Sequence, residues 1–189
     1  MICVVFAHPY PSRSRANRVL RRSLPVLPEI EVRPLYDLYP DFDIDVAAEQ
    51  AALARASLVV WMHPTYWYSV PGLLKHWFDQ VLAHGWAYGD GGRALHGKHC
   101  LWVTTTGGDG AEYSSAGMHE RPFASFVPPV EETARFCGMH WEEPFVVHGA
   151  HLLDETQLAA RGVELASRLR PWLPDAPPAD VSAAQEIAP

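Results

Sequence analysis

Little in this 189-residue sequence points to an oxidising compartment, a membrane span or a nucleic-acid surface. There are three cysteines, Cys3, Cys100 and Cys137. Cys3 and Cys100 fall inside apolar runs that read as strands, where a thiol is a small core hydrophobe, so a reducing, cytoplasmic setting is expected. No apolar stretch approaches the roughly 20 residues needed to cross a bilayer. The opening MICVVFAHP has no basic lead and runs at once into a strand pattern, so it does not read as a secretory signal. Positive charge is scarce as well. The formal net charge of −7 argues against a nucleic-acid partner. Arg13, Arg15, Arg18, Arg21 and Arg22 form the one basic cluster, on a single expected helix.

Several signatures are missing too. Neither G-x-G-x-x-G nor G-x-x-x-x-G-K-S/T occurs, which disfavours a dinucleotide Rossmann site and a P-loop. No G-x-S-x-G elbow follows a strand, so a serine hydrolase is not expected. His96-x-x-His99 and His148-x-x-His151 have ligand-like spacing, but no cysteine or carboxylate completes a tetrahedral set, and no metal site is assigned. There is no internal repeat.

What is present alternates. Apolar strand patterns at Ile2 to Phe6, Glu31 to Leu35, Leu58 to Met62, Cys100 to Thr104 and Phe145 to Val147 are separated by helical patterns. The helices are expected from Ser12 or Ser14 to Leu24, Asp45 to Arg55, after Pro71, Phe123 to Phe136, and Glu155 to Leu169. Gly138 is a suitable helix stop, and Asp154 with Gln157 reads as a capping box. Five strands alternating with five helices specify an α/β three-layer sandwich. Its five-stranded parallel sheet has helices on both faces, and right-handed crossovers make the flavodoxin-like order 2-1-3-4-5 the leading topology. Residues 1–170 form the domain. Residues 171–189, rich in Pro and Ala, are expected to be a mobile tail.

In that topology the loops after strands 1, 3 and 4 meet at the carboxyl edge, where open α/β sheets bind ligands. The first, from His8 to Asn17, ends at a helix N-terminus whose free amides suit a phosphate; an ordinary N-cap with a solvated arginine face fits the same residues. The second, His63-Pro64-Thr65-Tyr66-Trp67-Tyr68, is an aromatic loop, costly to leave in water unless a flat ligand, the core or a second subunit covers it. In the third, Thr105-Thr106-Gly107-Gly108-Asp109-Gly110, glycines let backbone amides come close to a ligand. A phosphate end, an aromatic wall and a row of amide donors together match the needs of flavin mononucleotide (FMN).

These residues also carry a family resemblance. The stretches AHPYPSRSRAN, LYDLYPDFDIDVAAEQ, HPTYWYSVPGLLKHWFDQV, HGWAYGDGGRALHGK and TTTGGDG occur in order across most of residues 1–148. The chain resembles the flavodoxin-like NAD(P)H:quinone oxidoreductases, and among them the ancillary flavoproteins of glutathione-gated potassium efflux systems. The resemblance implies FMN rather than FAD, held by His8, Ser14, Arg15, Ala16, Asn17, Pro64, Thr65, Tyr66, Trp67, Tyr68, Thr105, Thr106, Gly107 and Gly108. It implies a homodimer with the active site at the subunit interface. Trp67 and Tyr68 would line the substrate side, and Trp86 and Tyr88 would cover it from the other subunit. Tyr66 stands where Gln or Trp is common in relatives, and Gly72 where Pro or Ala is usual.

Tyr113 and His119 follow the Gly pair at a spacing similar to that of a Tyr and a His in the larger FAD-using quinone reductases. There the pair handles the proton accompanying hydride transfer. A loop aromatic and an exposed loop histidine remain the plainer readings. The implied reaction is ping-pong: NAD(P)H gives hydride to flavin N5 and leaves, and a quinone takes it. The alternative implied by the resemblance is a regulatory subunit docked on a potassium/proton antiporter, peripheral at the inner face of the membrane. The two roles are compatible.

Overall fold

The computed structural model describes residues 1–173. Strand β1 (Ile2–Phe6) leads through a 3-10 turn (Pro11–Arg13) to helix α1 (Arg15–Arg22). Strand β2 (Ile30–Pro34), a short α2 (Leu35–Leu38), α3 (Val46–Arg55), β3 (Leu58–Pro64) and α4 (Gly72–Val81) follow. The remainder is β4 (His99–Thr105), a 3-10 turn (Phe123–Phe126), α5 (Pro128–Phe136), β5 (His140–Trp141), β6 (Phe145–Val147) and α6 (Glu155–Leu169). The sheet runs β2-β1-β3-β4-β5, every pairing parallel, with β6 also on β4. This is the expected flavodoxin-like order with one addition: two short strands share the fifth position. β5 pairs with His99 and Cys100, and β6 with Val103 to Thr105.

Burial explains why the strand sequences are apolar throughout and not alternating. Every β1 residue is buried, and period-two geometry sends neighbours to opposite faces. Cys3, Val5, Val59, Trp61, Cys100 and Trp102 join the core under α3, α4 and α5. Ile2, Val4, Phe6, Leu58, Val60, Met62, Leu101 and Val103 join the core under α1 and α6. Helix α4 buries Leu73, Leu74, Trp77, Phe78 and Val81, the stripe its sequence predicts. Helices α1 and α6 cross closely at Gly162, where a Cβ would lie 2.0 Å from Ser23 Oγ. The capping box of α6 is formed at both ends, Asp154 to Gln157.

One charged group lies fully inside. Glu49 on α3 is completely buried and accepts hydrogen bonds from Arg33 on β2 (Nε 2.9 Å, Nη2 2.5 Å), the Tyr39 hydroxyl (2.6 Å) and the Trp77 indole N–H on α4 (2.9 Å). With both carboxylate oxygens bonded, its charge is compensated, and β2, α3 and α4 are pinned together. Beyond α6, Trp172, the last residue of a 3-10 turn (Arg170–Trp172), and Leu173 pack on the α1/α6 core. The rest of the expected tail lies outside the described residues.

Candidate functional site

Parallel strands deliver the loops after β1, β3, β4 and β6 to one edge of the sheet, where they enclose a cavity of about 620 Å³. That is the size of a small-molecule cofactor site, typically about 300–1,000 Å³.

The β1–α1 loop forms the first wall. Ser14 caps α1, its Oγ accepting from the Asn17 amide at 3.1 Å. The amides of Arg15 and Ala16 meet no protein acceptor among the described residues, so two donors and the positive end of the helix dipole stand at the cavity. The Asn17 side chain is 2% exposed and donates to Ser14 Oγ (3.2 Å) and Thr105 Oγ1 (3.0 Å), tying the first loop to the third. Its Oδ1 is buried without a hydrogen-bond partner. A buried acceptor left bare costs about 1–3 kcal/mol, and it asks for a ligand hydroxyl or N–H. His8 is buried, and its Nδ1 accepts from the Tyr10 amide at 3.0 Å. Burial pushes its pKa down, so the ring is neutral and carries its proton on Nε2. Arg15 borders the cavity, but its guanidinium is bonded to the carbonyl oxygens of Leu153 and, at 3.4 Å, His151.

The β3–α4 loop forms the second wall. The Thr65 amide donates to the Thr105 carbonyl at 2.8 Å, and the Thr65 and Thr104 hydroxyls bond at 2.8 Å. Tyr66 and Ser69 then bond to each other through both backbone pairs, closing a two-residue turn at Trp67 and Tyr68. Both central residues have positive φ, 47° and 61°, where glycine or asparagine is the usual occupant. The strain is on the order of 1–3 kcal/mol per residue, and it presents Trp67 with 91% of its surface exposed.

The third wall is Thr105-Thr106-Gly107. Thr106 Oγ1 donates to the Gly108 carbonyl at 2.7 Å, so the 3.0 Å contact with His148 must be a bond donated by His148 Nδ1. The amides of Gly107 and Gly108 have no acceptor among the described residues. A fourth wall, Ala150 and His151 from the β6–α6 loop, completes the cavity.

Of the residues expected to hold a cofactor, His8, Ser14 to Asn17, Pro64 to Tyr66 and Thr105 to Gly107 line this cavity. Trp67, Tyr68 and Gly108 flank it without lining it. Tyr113 and His119 come together beside them: their rings stack at 4.3 Å, and His119 meets the Tyr68 ring edge-on at 5.5 Å. Phe126 stacks on Tyr68 at 5.0 Å. Partial burial pushes the Tyr113 pKa up, so its hydroxyl stays protonated at neutral pH. Trp86 and Tyr88 lie past the C-terminal end of α4, half-buried, with Tyr88 against Phe136 at 5.0 Å. Within one chain they are on the opposite edge of the sheet, about 15 Å of helix away. Tyr10, Arg13, Ala150 and His151 also line the cavity, although none of the four was expected to hold the cofactor. The last two were within reach of the topology, because a fifth parallel strand must deliver its following loop to the same edge.

A model of a family described as having a flavodoxin-like fold matches residues 1–170. A glutathione-regulated potassium-efflux system ancillary protein, KefF, of Salmonella typhi is 52% identical over 172 residues, 91% of this chain and 97% of that protein. General stress protein 14 of Treponema denticola, solved in complex with FMN, superposes with TM-score 0.83 at 31% identity, covering 91% of this chain and 99% of the other. An NADPH-quinone reductase from P. pentosaceus superposes with TM-score 0.80 at 25% identity, covering 89% and 96%.

Proposed function

The chain belongs to the flavodoxin-like fold family, and from that premise we propose that it is an FMN-dependent NAD(P)H:quinone oxidoreductase of the cytoplasm. The observation that carries this reading is the cavity itself. It joins a helix N-terminus with unused amides to a buried, bare carboxamide oxygen and to a glycine turn with unused amides. Those donors and that acceptor fit the phosphate, the ribityl hydroxyls and the carbonyl edge of one FMN molecule in that order. A relative of known structure binding FMN and another described as an NADPH-quinone reductase support the assignment.

FMN, when bound, would supply hydride exchange between NAD(P)H and a quinone. The chain would supply the rest. The amides of Arg15 and Ala16 and the Ser14 hydroxyl would hold the phosphate. Asn17 Oδ1 would accept from a ribityl hydroxyl, and the Gly107 and Gly108 amides would stabilise the negative charge that the ring collects on reduction. Tyr113 and His119, whose rings stack, would hold and pass the proton that accompanies hydride transfer to a quinone. Trp67 and Tyr68 shape the substrate side. Trp86 and Tyr88 would reach it only across a homodimer interface, and the exposure of Trp67 and Met118 supports such a pairing.

Anaerobic mixing with NADPH should bleach the FMN-loaded protein, and benzoquinone should restore its colour. His119→Ala should slow that turnover at least about tenfold with FMN content unchanged. Equal rates would remove the proton role from His119. The 52% identity to a potassium-efflux ancillary protein favours a second, compatible role, docking on a potassium/proton antiporter at the inner membrane face, for which co-purification is the test.

A further inference from the structure

Beside the main cavity, on the far side of the Pro11–Arg13 turn, lies a second concavity of about 400 Å³. Its floor is Phe6, Pro11 and Ser12, and its rim is Arg18, Arg21 and Arg22 of α1. The Arg21 guanidinium lies 5.1 Å over the Phe6 ring. Its acidic contact, Asp37, is 3.8 Å away, with both side chains substantially exposed. Arg18 makes one long bond, 3.5 Å, to the Ser12 carbonyl. Arg22 has no acidic partner among the described residues.

Arginines at positions 18, 21 and 22 repel one another across helical i,i+3 and i,i+4 spacings. The helix dipole offsets this for Arg21 and Arg22, which sit in the last turn of α1. It does nothing for Arg18, and nearer the N-terminus the same dipole disfavours Arg15. In a chain of net charge −7, three guanidiniums with one weak acidic neighbour around a cleft are an anion-recognition surface.

We propose that this cleft is a second ligand site, separate from the cofactor cavity, that binds a phosphomonoester. Two guanidinium forks and the Ser12 hydroxyl can surround the three terminal oxygens of a monoester dianion, which a phosphodiester does not offer. Two sources present that group: the 2′-phosphate of NADPH, or a free organic phosphate acting as an effector. The NADPH source rests on the reductase reading; the site itself does not.

The test uses FMN-loaded protein, so that the main cavity is filled, and the probes phenyl phosphate, 2′-phospho-ADP-ribose and ADP-ribose, followed by calorimetry. Phenyl phosphate and 2′-phospho-ADP-ribose should bind, ADP-ribose at least about tenfold more weakly, and Arg18→Gln with Arg22→Gln should weaken the first two about tenfold. Both residues are exposed, so the double variant should fold, and retention of FMN checks this. A drop in kcat/KM for NADPH with that for NADH unchanged identifies the 2′-phosphate as the source. Unchanged kcat/KM for both nucleotides in the double variant, with phenyl phosphate bound by the unmodified protein and weakened by the substitutions, identifies a free phosphate ester. Binding of phenyl phosphate that the double variant leaves intact, or no binding at all, overturns the site. Loss of turnover with both nucleotides in the unmodified protein sinks the reductase reading instead, and leaves the calorimetric result to decide the cleft.

Discussion

The guanidinium of Arg15 hydrogen-bonds the carbonyl oxygens of His151 and Leu153, residues 136 and 138 positions away. In the sequence Arg15 stands among the residues of a phosphate-binding turn, and its neighbours Ser14 and Asn17 take up the cap and cavity positions that the turn predicts. Its own side chain is a strap that holds the β6–α6 loop, and with it Ala150 and His151, against the cavity. Nothing local in SRSRAN announces that, because the partners are backbone groups from the other end of the chain. Arg15→Ala should therefore weaken FMN and riboflavin together, each about tenfold, since both lose the same wall. Loss of FMN affinity with riboflavin unaffected would mean that the guanidinium pairs with phosphate and that the strap is incidental. Trp67 and Tyr68 show the same limit of local reading. Their aromatic character was plain in the sequence, but their left-handed backbone was not, because neither residue favours it.

At the scale of elements, long apolar runs were legible and short ones were not. β1, β3, β4, α4 and α6 lie within a few residues of the sequence reading because each carries a full stripe or a buried run. β5, His140–Trp141, was missed: two residues hold no periodicity, and β4 alone specifies the pairing. The expected helix from Phe123 to Phe136 is broken into a 3-10 turn and α5, with Pro128 starting α5, because Pro cannot continue a helix from the preceding turn. Gly138 does end α5, at φ +76°, with the His96 ring filling the space a Cβ would need.

Central strands are joined by side chains as well as by their ladder. His63 on β3 is fully buried; its Nε2 accepts the Trp102 indole N–H from β4 at 2.7 Å, and its Nδ1 donates to the Pro64 carbonyl at 2.9 Å. Burial holds its pKa down to about 4, against the ordinary 6.5 of an unfolded chain. As pH falls the unfolded state takes up the proton first. The contribution of His63 is thus fully present above pH 6.5 and drains away as pH drops to about 4. Unfolding free energy should fall in that window by up to about 1.4 kcal/mol per pH unit more than in His63→Gln, measured by denaturant titration at each pH. Parallel curves for the two proteins would show that His63 is not held neutral.

For the molecule as a whole, the parallel sheet does the decisive work. It brings four loops, separated by up to about 140 residues of chain, to one edge, while the opposite edge carries Trp86 and Tyr88. Strand order and the three expected loops were legible because alternation and handedness leave few arrangements. The fourth loop and the second, arginine-rimmed cleft were not, since both arise from packing between elements. No helix among the described residues is long and apolar enough to cross a membrane. The central claim is that the first cavity takes one FMN. Fluorescence titration of FMN into cofactor-free protein tests it most directly. The account predicts one site per chain with a dissociation constant of about 1 μM or tighter, weakened by Asn17→Ala. Fluorescence that stays unquenched at about 100 μM protein would contradict it.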